Sequence, residues 1–207
     1  MEYINDCDVW ESVPLEWKWI YDKLVVAGYE GILAGPAGIS VPKADWYIVR
    51  PITNIRMMSR GADVVWIEPG DDSNVPDGYF WSQVLTGDHI SVDYLWGTPV
   101  LAVQGFRDNP NRLDRFSRWV KLPAPKIYPI PSWLESFALV HPWVNVEYIG
   151  GKAIEVHCRY NDDFSNHTSN EIIPRWKGDD LEPPVGWDWY PSPSADRLGF
   201  WVKENEG

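Results

Sequence analysis

Positive charge is scarce in this chain: 18 Lys and Arg stand against 30 Asp and Glu, a net charge of −12 over 207 residues. Such a surface repels phosphate backbones and anionic lipid, which argues against nucleic acid or a membrane as partner. Cysteine is scarcer still. Cys7 and Cys158 lie far apart and make neither a disulfide framework nor a zinc pattern, so a reducing, cytoplasmic location is expected. No apolar run approaches the roughly 18 residues that a membrane helix needs. The start Met1-Glu2-Tyr3-Ile4-Asn5-Asp6 has neither the basic lead nor the apolar stretch of a signal peptide. Tryptophan, by contrast, is abundant. With 14 Trp and 44% hydrophobic residues the chain can bury ample surface. Most of these rings are expected as large core pieces with an N–H at the edge; exposed platforms for carbohydrate are the alternative.

The length suits one domain of ordinary size. Residues 15–27 predict a helix, with Leu15, Trp19, Ile20, Leu24 and Ala27 near one face and Gly28 as its stop. Strands are expected at 46–50, 63–67, 79–85, 90–96 and 100–106, separated by turn-rich pieces. Ser132 to Val140 reads as a second helix, with Ser132 and Glu135 as a capping box. Residues 171–207 hold five Pro, four Trp and eight acids against four bases. They read as an irregular extension packed on a compact unit of residues 1–170. Helices flanking mostly antiparallel sheets make the expected class α+β.

Residues 144–159 carry the clearest chemical signal. Val144, Val146 and Tyr148 alternate with Asn145 and Glu147; Ile154, Val156 and Cys158 alternate with Glu155, His157 and Arg159. A two-residue Gly150-Gly151 turn would set Glu147 opposite Ile154 and mix the faces. A three-residue loop, Gly150-Gly151-Lys152, pairs Glu147 with Glu155 and Asn145 with His157, so that register is expected. Two facing carboxylates repel unless something positive lies between them. A divalent cation would serve, and Arg159 would help; a solvated outer face is the bland alternative. His141 and His167 are read as structural.

In that hairpin, Glu155-Val156-His157-Cys158-Arg159 resembles the Glu-x-Asn-x-Arg strand of ATP-grasp proteins, and Asn145-Val146-Glu147 their preceding magnesium strand. The resemblance continues upstream in order. Asp22-Lys23 is similar to the family's Asp-Lys helix, and Tyr47-Ile48-Val49-Arg50-Pro51 to the strand ending in Lys-Pro. Val84-Leu85-Thr86-Gly87-Asp88-His89-Ile90-Ser91-Val92-Asp93 resembles the hinge and the strand after it. The Arg-Pro strand end resembles one clade in particular, frequent in phages and peptide-modifying systems.

The resemblance implies an ATP-grasp-like fold with a shortened lid, and an ATP-dependent carboxylate–amine ligase acting through an acyl phosphate. Its substrates would be small-molecule or peptide carboxylates and amines. Gln83, Val84 and Leu85 would meet the adenine, and His89 the ribose. Arg50 would bridge the nucleotide phosphates, and Arg159 would contact the transferring phosphate. Glu147 and Glu155, with His157, would hold magnesium or manganese. Three departures stand out. Arg50 replaces Lys but keeps the charge. The interval after Pro51 lacks a Gly-rich phosphate loop, leaving Arg56 and Arg60 to substitute by charge. His157 replaces Asn, a change that disfavours magnesium. A degenerate fold serving as a non-catalytic binding or regulatory protein is the alternative, favoured by the shortened lid and the Trp/Pro-rich acidic tail. The basic loop 107–118 reads equally as a solvated turn or as an anion grip.

Overall fold

In the strand His89–Leu95, Ile90, Val92 and Tyr94 alternate with His89, Ser91 and Asp93, and both sets are buried. A polar face shut away from water is costly unless its groups are paired, and the whole architecture is arranged around this one. A computed structural model describes residues 6–53, 61–71, 74–109, 112–165, 167–180, 182–194 and 196–203.

A short helix α1 (Asp6–Trp10) is followed by a 3-10 helix, Leu15–Tyr21, and by α2 (Lys23–Tyr29). The single helix expected over 15–27 is thus divided. Asp22 causes the division: its carboxylate accepts from the N–H groups of Leu24 and Val25 at 2.9 and 3.0 Å and starts α2 afresh. Four antiparallel strands, β1 (Ala34–Pro36), β2 (Asp45–Pro51), β3 (Asp63–Ile67) and β4 (Tyr79–Gln83), form a small sheet in the order β1-β4-β2-β3.

The large sheet has eight antiparallel strands. The strand named at the outset is β5, and β6 (Thr98–Phe106), β7 (Arg118–Lys121), β8 (Trp143–Ile149) and β9 (Lys152–His157) surround it. The remaining strands are β10 (Glu171–Trp176), β11 (Asp188–Ser194) and β12 (Arg197–Val202), and the order is β11-β12-β10-β7-β6-β5-β8-β9. Residues 171–202, expected as irregular, therefore extend the main sheet through β10, which pairs with β7. Pro191 and Pro193 are tolerated because β11 is an edge strand. The second expected helix is shorter, a 3-10 turn Ser132–Leu134 running into α3 (Glu135–Ala138). Pro131 precedes it without any side-chain cap bond, so the Ser132–Glu135 capping box does not form.

The apolar face of β5, β8 and β9 packs Val92, Tyr94, Val146 and Val156 against Ile20, Val26, Leu134 and Phe137. A second core, Val103, Phe164, Ile172 and Phe200, seals the far end of the sheet. Between the small and large sheets, Ala27, Ile32, Phe80 and Ile154 form a joint.

The β8–β9 hairpin reaches the expected pairing by a different route. Asn145 faces His157, Val146 faces Val156, and Glu147 faces Glu155. The loop, however, has two residues, not three: Ile149 pairs with Lys152, and Gly150 and Gly151 take φ of 57° and 82°. A bulge then leaves Ile154 as the extra residue and restores the register. The turn also supports segment 84–88, since Gly150 N–H donates to Asp88 O at 3.1 Å. A Cβ on Gly150 would strike the Thr86 carbonyl oxygen, whereas one on Gly151 meets nothing within 4 Å. Gly151→Ala should therefore cost only the left-handed strain, about 1 kcal/mol, and Gly150→Ala about 2 kcal/mol or more. Urea unfolding of the two variants tests this, and equal losses would remove the Thr86 contact from the account.

Candidate functional site

Two cavities meet at the polar face, and Glu155 lines both. The larger, about 470 Å³, lies between the small and large sheets. Its apolar wall includes Ile32, Ile48, Val64, Leu85 and Ile154, and its polar end Lys23, Arg50, Arg107 and Glu155. Gln83, Val84 and His89 also line it. Arg50 sits near the end of β2, and its Nη2 donates to Ile154 O at 3.1 Å while the guanidinium lies 5.1 Å from the Phe80 ring. Arg107 lies 3.8 Å from the Phe116 ring and donates to Leu113 O at 3.1 Å. The Nε groups of Arg50 and Arg107 are buried without a hydrogen-bond partner. Three basic side chains, Lys23, Arg50 and Arg107, lining one cavity suit an anionic ligand. Gln83 N–H is committed to Leu33 O at 2.8 Å.

The smaller cavity, about 100 Å³, brings Asn145, Glu147, Glu155, His157 and Arg159 together on one face. Its centre is a row of alternating charge. His89 Nε2 lies 3.0 Å from Glu147 Oε2, while Arg107 Nη2 reaches His89 Nδ1 at 3.5 Å. His89 thus donates through Nε2 and accepts at Nδ1. His157 Nε2 lies 3.5 Å from Glu155 Oε1 and 3.8 Å from Glu147 Oε1. Its Nδ1 meets Asp6 Oδ2 at 2.8 Å. Lys23 Nζ stands 3.8 Å from Glu155 Oε2. Burial opposes a charged imidazole, but Asp6 and the two glutamates prevail and push His157 up to about 10. Burial likewise works against a charged Glu147, yet His157 and His89 hold its carboxyl well below the usual range.

Asp6 is buried, lies 3.5 Å from Arg159 Nε, and so ties the first helix to the site's two cations. Behind it, Asp93 anchors the segment after β9: it accepts from Asn161 N–H at 3.0 and 3.1 Å and from Asn145 Nδ2 at 2.8 Å. Burial pushes the Asp93 carboxyl up to about 7 despite those donors.

Each oxygen of the glutamate pair faces nitrogen: His89 and His157 for Glu147, His157 and Lys23 for Glu155. One oxygen of each glutamate turns toward His157 Nε2, and Lys23 stands beside the other Glu155 oxygen. Among the described residues, no group of three or more His, Cys, Asp or Glu side chains forms a metal-holding set.

The structure also divides the basic loop. Arg107 turns to the larger cavity, whereas Arg112 is exposed and paired with Asp114 at 3.0 Å. Arg118 pairs with Glu171 at 3.4 Å. Arg56 and Arg60 lie outside the described residues. Three site residues escaped the sequence reading. Lys23 was visible only as part of a motif and Arg107 only as one arginine in a cluster, while Asp6 gave no signal.

No protein-family profile and no curated protein matches the sequence. Among solved structures, an ATP-grasp superfamily protein from Archaeoglobus fulgidus superposes with a TM-score of 0.53 at 14% identity, covering 90% of this chain and 64% of its own. N5-carboxyaminoimidazole synthetase from Staphylococcus aureus gives 0.55 at 8% identity, covering 92% and 68%. This chain therefore spans just under two thirds of the first relative's length. At such identities the likeness concerns the fold. That fold, antiparallel sheets flanked by helices, is ATP-grasp-like.

Proposed function

We propose that this protein is an ATP-dependent carboxylate–amine ligase that forms an amide through an acyl phosphate. The observation that carries the reading is the larger cavity, in which Lys23, Arg50 and Arg107 converge below an apolar wall. Adenine would lie against Ile48, Leu85 and Ile154, and the phosphates would meet Lys23, Arg50 and Arg107. Arg159 faces the adjoining cavity, where a carboxylate substrate would lie. A carboxylate oxygen attacks the γ-phosphorus and ADP leaves; an amine then displaces phosphate from the acyl carbon. The residues named here act by holding the reactants together and by neutralising charge on the transferred group. No side-chain nucleophile is needed.

Arg50→Ala should weaken ATP binding about 10- to 100-fold, the value of one charge-assisted hydrogen bond in a buried setting. Arg112→Ala, whose partner is Asp114 on the surface, should leave it unchanged. Isothermal titration with ATP distinguishes them, and equal affinities would remove the phosphate role of Arg50. Catalysis is tested by trapping: ATP, hydroxylamine and panels of amino acids and peptides should give hydroxamate and ADP in equal amounts.

A second reading is a non-catalytic nucleotide-binding or regulatory protein. The charge row through His157 favours it, because the glutamate pair is already neutralised from within. Binding of ATP with no hydroxamate from any carboxylate would put this reading first.

A further inference from the structure

β3 is the outermost strand of the small sheet, and β2 alone pairs with it. Among the described residues, no backbone hydrogen bond reaches Asp63–Ile67 from the far side. A strand with one side unpaired presents N–H and C=O groups to an incoming strand. The run Asp-Val-Val-Trp-Ile suits such pairing, because β-branched and aromatic residues favour strands and no proline interrupts it. The opposite margin of the small sheet is not comparable, since β1 has three residues and ends at Pro36.

The side chains along this free side are apolar and open to water. Val64 is 37% exposed and Trp66 45%, while Trp46, opposite Trp66 on β2, is 54% exposed. The two indoles meet edge to face at 5.6 Å between ring centres. All three belong to the sheet face that Ile48 and Val64 present to the larger cavity. Tyr47, Val49 and Ile67, on the other face, are buried in a core of their own.

We infer that β3 pairs antiparallel with β3 of a second copy of this chain, joining the two small sheets edge to edge. The strand is complementary to itself. About a two-fold axis at Val65, Val64 faces Trp66 of the partner subunit and Asp63 faces Ile67 of the partner subunit, so no like charges meet. Trp46 backs each Trp66. The pairing uses up the free side of both strands, so assembly closes at two copies. It also brings Trp66 of the partner subunit beside Val64, at the wall of the larger cavity, whatever that cavity binds. The net charge of −12 on each chain opposes the approach, so added salt should strengthen the dimer.

Sedimentation of the full chain at rising concentration, in moderate salt, should show the mass pass from 23.8 kDa to twice that and no further. Amide hydrogen exchange in β3 should slow over the same range. A monomer at every concentration overturns the inference and leaves the free side to a strand of another protein. Species that grow beyond two copies overturn it as well. Paired substitutions at the two exposed positions test the register. Val64→Lys with Trp66→Lys sets lysine against lysine twice and should weaken the dimer about tenfold or more. Val64→Lys with Trp66→Glu sets lysine against glutamate twice and should recover most of that loss. Circular dichroism at low concentration shows that each variant folds as a monomer; the exchange measurement on the wild-type chain needs no variant. A dimer indifferent to the lysine pair, or weakened equally by both double variants, overturns the pairing.

Discussion

Replacing Asp6 by Ala should destabilise the fold by about 3–5 kcal/mol, because it strips the counter-charge from two buried cations. Asp6 meets His157 at 2.8 Å and Arg159 at 3.5 Å, and all three are largely shielded from water. Removing one partner of a buried pair costs far more than an exposed ion pair is worth. For a chain of this size the loss corresponds to a fall in Tm of about 10 °C. Asp6→Asn retains an acceptor for the imidazole N–H and should lose roughly half as much. Differential scanning calorimetry of both variants checks this. If Asp6→Ala melts within a degree or two of wild type, the first helix does not hold the site together.

The second large effect is on pH dependence. His157 is raised from about 6.5 to about 10 in the folded chain, where Asp6 and the glutamates outweigh burial. For a basic group raised on folding, the added stability is fully present below the unfolded value near 6.5. It is lost as pH climbs toward 10. Between pH 6.5 and 9 the folded ring stays charged while the unfolded one does not, a difference of about 3 kcal/mol. His157→Gln, which keeps a donor but cannot titrate, should lack that component. Urea unfolding at pH 6.5, 8 and 9 measures it as the wild-type-minus-variant difference. A difference that stays flat across this range would show that the ring is neutral in the folded chain.

The hairpin shows what was legible in the sequence and what was not. Period-two alternation and the Gly-Gly pair were enough to set Glu147 opposite Glu155, because burial of Val146 and Val156 forbids the slipped register. The bulge at Ile154 was not legible, since a two-residue turn plus one extra residue and a three-residue loop give the same downstream pairing. The 15–27 helix failed at Asp22, where a local side-chain bond to the backbone outcompeted continued periodicity. The strands of 171–202 were hidden by proline, which reads as irregular unless the strand lies at an edge. In the site, Arg50, Gln83, Val84, Leu85 and His89 line the larger cavity, while Glu147, His157 and Arg159 line the smaller. Asp6 was beyond reach. Its partner lies 151 positions away, and an acid in an acidic chain carries no local mark of a buried role.

The edges of the eight-stranded sheet bear on how copies of this chain behave when crowded together. A bare sheet edge is a template on which another polypeptide can add a strand, and this is a common start of aggregation. At one edge, β11 has seven residues, of which Pro191 and Pro193 carry no N–H to offer an incoming strand. At the other, β9 is packed against α2 and the 3-10 helix before it, and all but its first residue are buried. One margin lacks part of its donors and the other is screened, so neither offers a clean ladder for an added strand. Growth of the sheet from molecule to molecule is opposed at both ends, which matters for a chain carrying 14 tryptophans, several of them exposed.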